Sequence, residues 1–371
     1  MVPPTASPTP NAALVIGALV NLGESDPTNR QTFEAMSLAV DTINRRGGIE
    51  PGGGQRRAVR LAAYDDAGSV DRVGPDLRRL ADEDQALVVI GPAERDTATL
   101  ARRVAERMAL PLVTLAATPE TRTDTWRWSF ALAPDDEAPI ASLIDYLAAS
   151  GVERIGWLAP MTETASEAQA AFTRRALAAG MRVAASEVYP LGDGTLAARH
   201  ARLKAAGAQV IVGWPHDTRG TVALLAQLRP VPDRLLLFLG TAAADPKALA
   251  LDGGTIDGLH TVTPRLGVVD DLWDHDAMTP LIRDFTRAYR QRFGSAPDDD
   301  AAAAWDAVQL VGRAITQAGP SRDRVRDALE GTSELTGVSG AIAFSPSSHT
   351  GLDRRAFVVA RSAEGRWRLP P

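Results

Sequence analysis

Apolar residues along this chain fall in short blocks, each followed by a polar loop and then by apolar positions three or four apart. Ala13 to Leu19 is the first block, and Phe33, Met36, Leu38, Ala39, Val40 and Ile43 recur behind it at helical spacing until Gly47-Gly48 stops them. Pro51 to Gly54 reads as a turn, Val59 to Tyr64 as a second strand and Val73 to Ala81 as a second helix. From residue 86 a third apolar run ends at Gly91-Pro92, a helical pattern follows, and a fourth run ends at Ala116-Ala117-Thr118-Pro119. Strands that are apolar throughout, with helices between them, are what a parallel sheet covered on both faces requires. The pattern predicts a doubly wound α/β sheet, whose strand ends and helix amino termini form a binding crevice.

Trp126 to Asp136 reads as a connection, after which the alternation restarts. Helices are expected at Ile140 to Ala149, Glu167 to Ala179, Leu196 to Ala206 and Gly220 to Leu228. Strands are expected at Arg154 to Leu158, Val183 to Tyr189, Gln209 to Gly213 and Arg234 to Leu239. A second lobe of the same class follows from this restart. Pro280 to Phe293 and Ala301 to Ala318 are helical with no strand between them, and Trp305, Val308, Val311 and Ile315 make one stripe. They are expected to cover the first sheet. Gly340 to Phe344 and Ala356 to Ala360 are expected to form a terminal hairpin on the second sheet, with a turn around Pro346 to Gly351. The expected organisation is therefore a tether at 1–11, a first lobe at 12–133 plus 263–335, and a second at 134–262 plus 336–371, joined by three crossings.

At 371 residues the chain has room for two such lobes. Its net charge of -6, from 40 basic and 46 acidic residues without clustering, carries no electrostatic footprint for nucleic acid or a membrane face. Cysteine is absent, which removes disulfides, thiolate metal sites and cysteine nucleophiles. No apolar run approaches the roughly 18 residues of a membrane span. Met1 to Asn11 (MVPPTASPTPN) resembles the tether of an exported or lipid-anchored protein.

Four blocks in order resemble the type I periplasmic solute-binding proteins of branched-chain amino-acid ABC importers. They are IGALVNLG at 16–23 with AMSLAVDTINRRGGI at 35–49, YDDAGS at 64–69, the stretch 89–120, and FTRAYRQRFGSAP with AAWDAVQL at 285–310. The resemblance covers nearly the whole chain from Ala12. It implies two parallel-sheet lobes with three hinge crossings, a solute clamped by closure, a periplasmic or extracellular place, a membrane permease as partner, a monomer, and no cofactor or catalysis. The alternative within this fold is a ligand-sensing regulator, similar to the amidase regulators.

In such proteins the first lobe grips the solute through the loops after its third and fourth strands. The resemblance places Arg95, Asp96 and Thr97 in one, and Ala116, Ala117 and Thr118 in the other. Backbone amides there suit a carboxylate, and Arg95 offers a guanidinium that either pairs a carboxylate or stays solvated. Glu24, Thr28 and Asn29 are rim candidates. On the second lobe the matching loops contribute Thr164, Trp214, Pro215, His216 and Thr241. Trp214 serves either as a flat wall over the solute or as packing. The position where an aromatic is usual falls near Thr164 and that of the acid that would pair an ammonium near Ala242, so either Asp96, Glu24 or Asp217 supplies that charge or the solute is a carboxylate, amide or polar neutral molecule. The solute class implied is amino-acid-like, amide or aromatic acid.

Other chemistries lack their residues. Five histidines show no HExxH or paired spacing, Gly52-Gly53-Gly54 has no following Lys-Ser/Thr, and no GxSxG elbow occurs. Asp65-Asp66 is expected to bond backbone rather than act as an acid-base pair. Trp126 and Trp128 share one side of an extended segment, either as a stacking platform or as packing.

Overall fold

The computed structural model describes residues 13–23, 27–116, 126–133, 136–215, 217–244, 248 and 258–370. Its contacts divide the chain into unit 1, Met1–Pro134 with Leu281–Leu352, and unit 2, Asp135–Pro280 with Asp353–Pro371. Residues 263–280 thus fall in unit 2 and residues 336–352 in unit 1, each opposite to the expected division.

Unit 1 begins β1 (Leu14–Val20), α1 (Pro27–Arg45), β2 (Val59–Asp65), α2 (Val70–Asp82), β3 (Val88–Ile90), α3 (Arg95–Met108), β4 (Leu112–Thr114) and β5 (Ser129–Ala131). The five strands form one parallel sheet in the order β2-β1-β3-β4-β5. Strand β5 corrects the reading of 126–136 as connection only; three residues are too few to show a period. Leu19, Leu77, Leu80, Val89, Ala101 and Leu112 are buried together between sheet and helices.

Unit 2 opens with α4 (Glu137–Ala149), β6 (Arg154–Pro160), α5 (Glu163–Ala178), β7 (Arg182–Tyr189), α6 (Leu196–Ala205), β8 (Val210–Gly213), α7 (Thr218–Leu228), β9 (Leu236–Leu239) and β10 (His260–Pro264). The chain then builds α8 (Thr279–Phe293), α9 (Asp299–Ala318) and α10 (Arg322–Glu330). In unit 1, α9 packs on α1 with Val308, Val311 and Ile315 buried, and the Tyr289 hydroxyl donates to Glu34 at 2.7 Å.

The expected terminal hairpin is corrected in one arm. Within 340–344, β12 (Ala341–Ile342) pairs antiparallel with β11 (Leu335–Thr336) in unit 1. The hairpin on the second sheet is instead β13 (Phe357–Ala363) with β14 (Arg366–Arg368), turned through Glu364 and Gly365, both at positive φ. That sheet runs β14-β13-β10-β9-β8-β6-β7, parallel from β10 to β7 and antiparallel at β13 and β14.

His260 on β10 is buried against Phe238 and Tyr146. Burial, with Arg361 adding, pushes its imidazole down to about 4. Between pH 6.5 and 4 the unfolded chain therefore binds the proton that the folded chain refuses, so stability is lost on acidification, by about 3 kcal/mol for a shift of this size. His260→Phe, which keeps an apolar ring there, is expected to flatten this part of the acid limb in urea unfolding. An unchanged limb would reject the assignment.

Candidate functional site

An open α/β sheet binds at the carboxyl ends of the two strands where the chain order reverses, because the loops there diverge and leave a crevice. In unit 1 the chain steps from β1 out to β2 and returns across β1 to β3, so the reversal lies between β1 and β3. A small cavity sits at that point, lined by Val20 at the end of β1 and Asn21 just after it, by Pro92, Glu94 and Thr97 after β3, and by Asp66 after β2. Its interior volume of about 10 Å³ suits about one water molecule.

Local chemistry holds these loops. Gly91 has φ +93°, and a Cβ there would lie 2.1 Å from the Leu19 carbonyl oxygen, so the close approach of β3's end to β1 requires glycine. Asp65 Oδ1 accepts from the Leu22 and Ala67 amides at 2.9 Å each, and Asp66 Oδ1 accepts from the Gly68 amide at 2.9 Å. The Asp65-Asp66 pair thus bonds backbone, as its sequence context suggested. Asp66 Oδ2 is buried without a partner. Burial raises this carboxyl, the Gly68 amide opposes the rise, and Glu94 adds to it.

Arg95, Asp96 and Thr97 are not in a loop: they form the first turn of α3, behind Glu94. Arg95 and Asp96 are exposed. Thr97 is buried, and its hydroxyl donates to the Glu94 carbonyl at 3.1 Å. Glu94, which sequence reasoning passed over, accepts from Asn21 Nδ2 at the cavity. It stands at the N-cap of α3 without capping it by its side chain, and glutamate is not a favoured residue there, so no local signal singled it out. Ala116 is buried just past β4, with Thr114 Oγ1 donating to its carbonyl at 3.4 Å. Glu24, Ala117, Thr118 and His216 lie outside the described residues, as do the side chains of Thr28 and Asn29.

In unit 2 the chain goes from β6 to β7 at one edge and returns past β6 to β8, so the reversal lies between β6 and β8. A cavity of about 430 Å³ opens there. Thr162 and Thr164 line it from the first turn of α5, Pro215 and Asp217 from the approach to α7, Tyr189 from the end of β7, and Leu191 from the loop beyond. Both helix starts are capped: Thr162 accepts from the Ala165 amide at 3.2 Å, and Asp217 from the Gly220 amide at 2.5 Å. First-turn amides beyond the capped ones have no acceptor inside their own helix. Tyr189 is buried, and its hydroxyl has no partner. Burial, with Asp217 and Asp193 adding, pushes that hydroxyl up to about 12.

Of the residues expected on this face, the structure brings Thr164 and Pro215 to the cavity. Trp214 does not line it. The indole is 1% exposed, stacks on Trp157 with centroids 5.9 Å apart, and donates from Nε1 to Asp136 at 3.2 Å. In this conformation it packs the unit 2 core rather than presenting a wall. Thr241 begins a 3-10 turn after β9, half-buried and outside the cavity lining. Trp126 and Trp128 are buried in unit 1, with the Arg102 guanidinium 4.4 Å above the Trp126 ring, so the packing alternative describes them. Among the described residues, no three His, Cys, Asp or Glu side chains group to hold a metal, and no helix is long and apolar enough to cross a membrane.

The family model described as periplasmic binding protein matches residues 14–365. No curated protein sequence matches the chain. Among solved structures, a putative branched-chain amino acid ABC transporter protein from Rhodospirillum rubrum is 23% identical, with a TM-score of 0.79 over 97% of this chain and 100% of that one. A substrate-binding protein of an ABC transporter from Desulfitobacterium hafniense, solved in complex with Leu, is 21% identical, with a TM-score of 0.75 over 96% of this chain and 99% of that one. A branched-chain amino acid transporter substrate-binding protein from Streptococcus pneumoniae, in complex with isoleucine, is 17% identical, with a TM-score of 0.71 over 96% and 98%. These likenesses establish the fold.

Proposed function

The chain belongs to the periplasmic binding protein family, whose members bind solutes without catalysis, and from that premise we propose that it is the extracytoplasmic solute-binding component of an ABC importer. Its solute is a small polar or carboxylate-bearing molecule: amino-acid-like, an amide or an aromatic acid. Its partner is a membrane permease. The observation that carries the reading is the coincidence in each unit of a cavity with the sheet's point of reversal. Such a place assembles loop backbone and helix amino termini but here holds no nucleophile-base constellation among the described residues.

Arg95 is the proposed partner of a solute carboxylate. It stands exposed in the first turn of α3, where the helix's partial positive charge reinforces its own. Ala116, Ala117, Thr118, Thr164, Pro215 and Thr241 remain the proposed supporting contacts, and Glu24 and Asp96 the proposed acids for a solute cation.

A thermal-shift screen over amino acids, amides, aromatic acids and dicarboxylates tests the reading, since a solute that binds the folded state alone raises the melting temperature. In the best carboxylate solute, Arg95→Ala is expected to weaken affinity by about 10- to 100-fold, as loss of a charge-assisted pair does. The melting temperature of the free protein should stay as it was, because the side chain is exposed. Turnover of these solutes without saturable binding would overturn the importer reading, and undiminished affinity in the variant would remove Arg95 from the site.

A further inference from the structure

A broader cavity of unit 1 lies at the edge of its sheet away from the solute loops. It opens beside the segment between the end of α1 and the start of β2, whereas Asn21, Asp66 and Glu94 stand at the carboxyl ends of the strands. The strands are parallel, so the length of the sheet lies between the two cavities. Its volume of about 740 Å³ falls within the span of about 300–1,000 Å³ usual for small-molecule sites. The importer reading makes no use of it.

The floor of this cavity is apolar. Ile49 is buried, and Ile43 and Leu335 are half-buried. The Cδ1 atoms of Ile43 and Ile49 lie 3.4 and 3.6 Å from where a Cβ on Gly312 would stand, so both isoleucines meet the face of α9 at one place. Glycine at 312 leaves that place without a covering side chain.

The rim is cationic. Arg46, Arg56 and Arg313 line the cavity, all three exposed, and Glu50 is the one carboxylate of the described lining. Backbone carbonyls hold two of the guanidiniums: Arg56 Nη1 donates to the Arg46 and Gly48 carbonyls at 3.2 and 3.3 Å, and Arg313 Nη1 to the Glu334 carbonyl at 3.1 Å. These bonds orient the groups and leave their charge and most of their N-H donors unused. Glu50 Oε2 is 3.9 Å from Arg56 Nε, too far for a hydrogen bond. Among the described residues the Arg46 guanidinium has no partner.

Three guanidiniums against one carboxylate give this edge a positive field on a chain whose net charge is -6. Exposed charges are screened by salt, so an anion held by them alone gains little. An anion that also covers the isoleucine floor gains the burial of apolar surface besides.

We propose that this cavity binds a small organic anion, an oxyanion carried on an apolar body. Arg46 and Arg313 meet the oxyanion as charged donors, with Arg56 beside them, and Ile43, Ile49 and Leu335 lie under the body. The site is separate from the solute face and stands or falls apart from it.

The probes are phenylbutyrate, phenylbutanamide, phenylbutylammonium and acetate, which vary charge and apolar body separately. The full-length protein is labelled with 13C at the isoleucine δ1 methyls, and Ile43 and Ile49 are assigned by the resonances missing from Ile43→Val and Ile49→Val. Phenylbutyrate is expected to shift both resonances saturably, with the other three probes each at least about tenfold weaker. Added sodium chloride should weaken it further. Arg46→Gln combined with Arg313→Gln should bring phenylbutyrate down to the level of the amide at an unchanged melting temperature, since both side chains are exposed. Thr316→Trp, at an exposed position of α9 that lines the cavity, should block it. Arg95→Ala should leave it as it is.

No saturable shift at Ile43 and Ile49 overturns the site. Equal binding of the amide or the ammonium, or affinity unchanged in the double arginine variant, overturns the role of the guanidiniums. Equal binding of acetate overturns the role of the floor. Loss of the shifts in Arg95→Ala returns the anion to the solute face and overturns a separate site. Cosedimentation with phosphatidylglycerol vesicles that the double variant abolishes, with no shift by phenylbutyrate, replaces the free anion by a lipid surface and overturns the proposal as stated.

Discussion

Replacing Trp214 by alanine is expected to destabilise the protein by about 3–5 kcal/mol, the range for an aromatic side chain removed from a core. The indole is one of the largest fully buried side chains, stacked on Trp157 and in the position that a Cβ on Gly240 would reach at 3.0 Å. Its removal opens a void beside Trp157 and takes the Nε1 donor from Asp136. Urea unfolding followed by circular dichroism measures the loss as a lower midpoint at unchanged slope. A change below about 1 kcal/mol would mean that the indole is not packed as described. The contrast with Arg95→Ala is the useful part: that exposed residue should cost affinity and no stability, whereas Trp214 should cost stability first. A solute lost on Trp214→Ala is evidence for a contact only where the variant is shown to be folded at the assay temperature.

Asp306→Ala is expected to cost about 3–5 kcal/mol as well, through polar groups rather than a void. Asp306 lies on α9, 2% exposed, in the first half of the helix that packs on α1. Its Oδ1 accepts from the Val338 amide at 2.9 Å, and Oδ2 accepts from the Ser339 amide at 2.7 Å and from the Ser339 hydroxyl. These bonds hold the turn between β11 and β12. A Cβ on Gly337 would lie 2.3 Å from Asp306 Oδ2, so the turn approaches the carboxylate as closely as glycine allows. Burial pushes the carboxyl up to about 6, against the three donors that favour its charged form. Alanine leaves two amides without an acceptor. Amide hydrogen exchange at Val338 and Ser339 is the direct readout: their protection should fall by more than that of α9. Equal loss of protection throughout unit 1 would indicate simple global destabilisation and reject the local clasp.

Much of the fold was legible because parallel strands buried on both faces must be apolar throughout, and their crossover helices must carry one apolar stripe. Val88 to Ile90 and Leu112 to Thr114 illustrate this, being wholly buried in unit 1. Strands β5 and β10 were not legible: three and five residues inside connecting segments carry no readable period, and pairing with a neighbouring strand alone defines them. The final hairpin was displaced for a similar reason. Its turn is only Glu364-Gly365, and the more conspicuous turn residues at 346–351 belong to unit 1.

The candidate site of each unit divides in the same way. Order along the chain is enough to place loops after β3, β4, β6 and β8 at carboxyl ends of strands, and the composition of those loops nominated Arg95, Thr164 and Pro215. Composition could not distinguish Trp214 as packing, because that depends on Asp136, 78 residues away, and on the void beneath Gly240. Nor could it bring Glu94 to Asn21 or leave Tyr189 without a partner, since both follow from the approach of strands distant in sequence. The sequence by itself determined the two-fold α/β alternation, the family and the ends of the sheets where binding is proposed, because hydrophobic period and local turn chemistry are properties of short segments. Tertiary structure decided which side chains are spent on the protein and which remain for a solute, because burial and hydrogen-bond partnership exist only once distant segments meet.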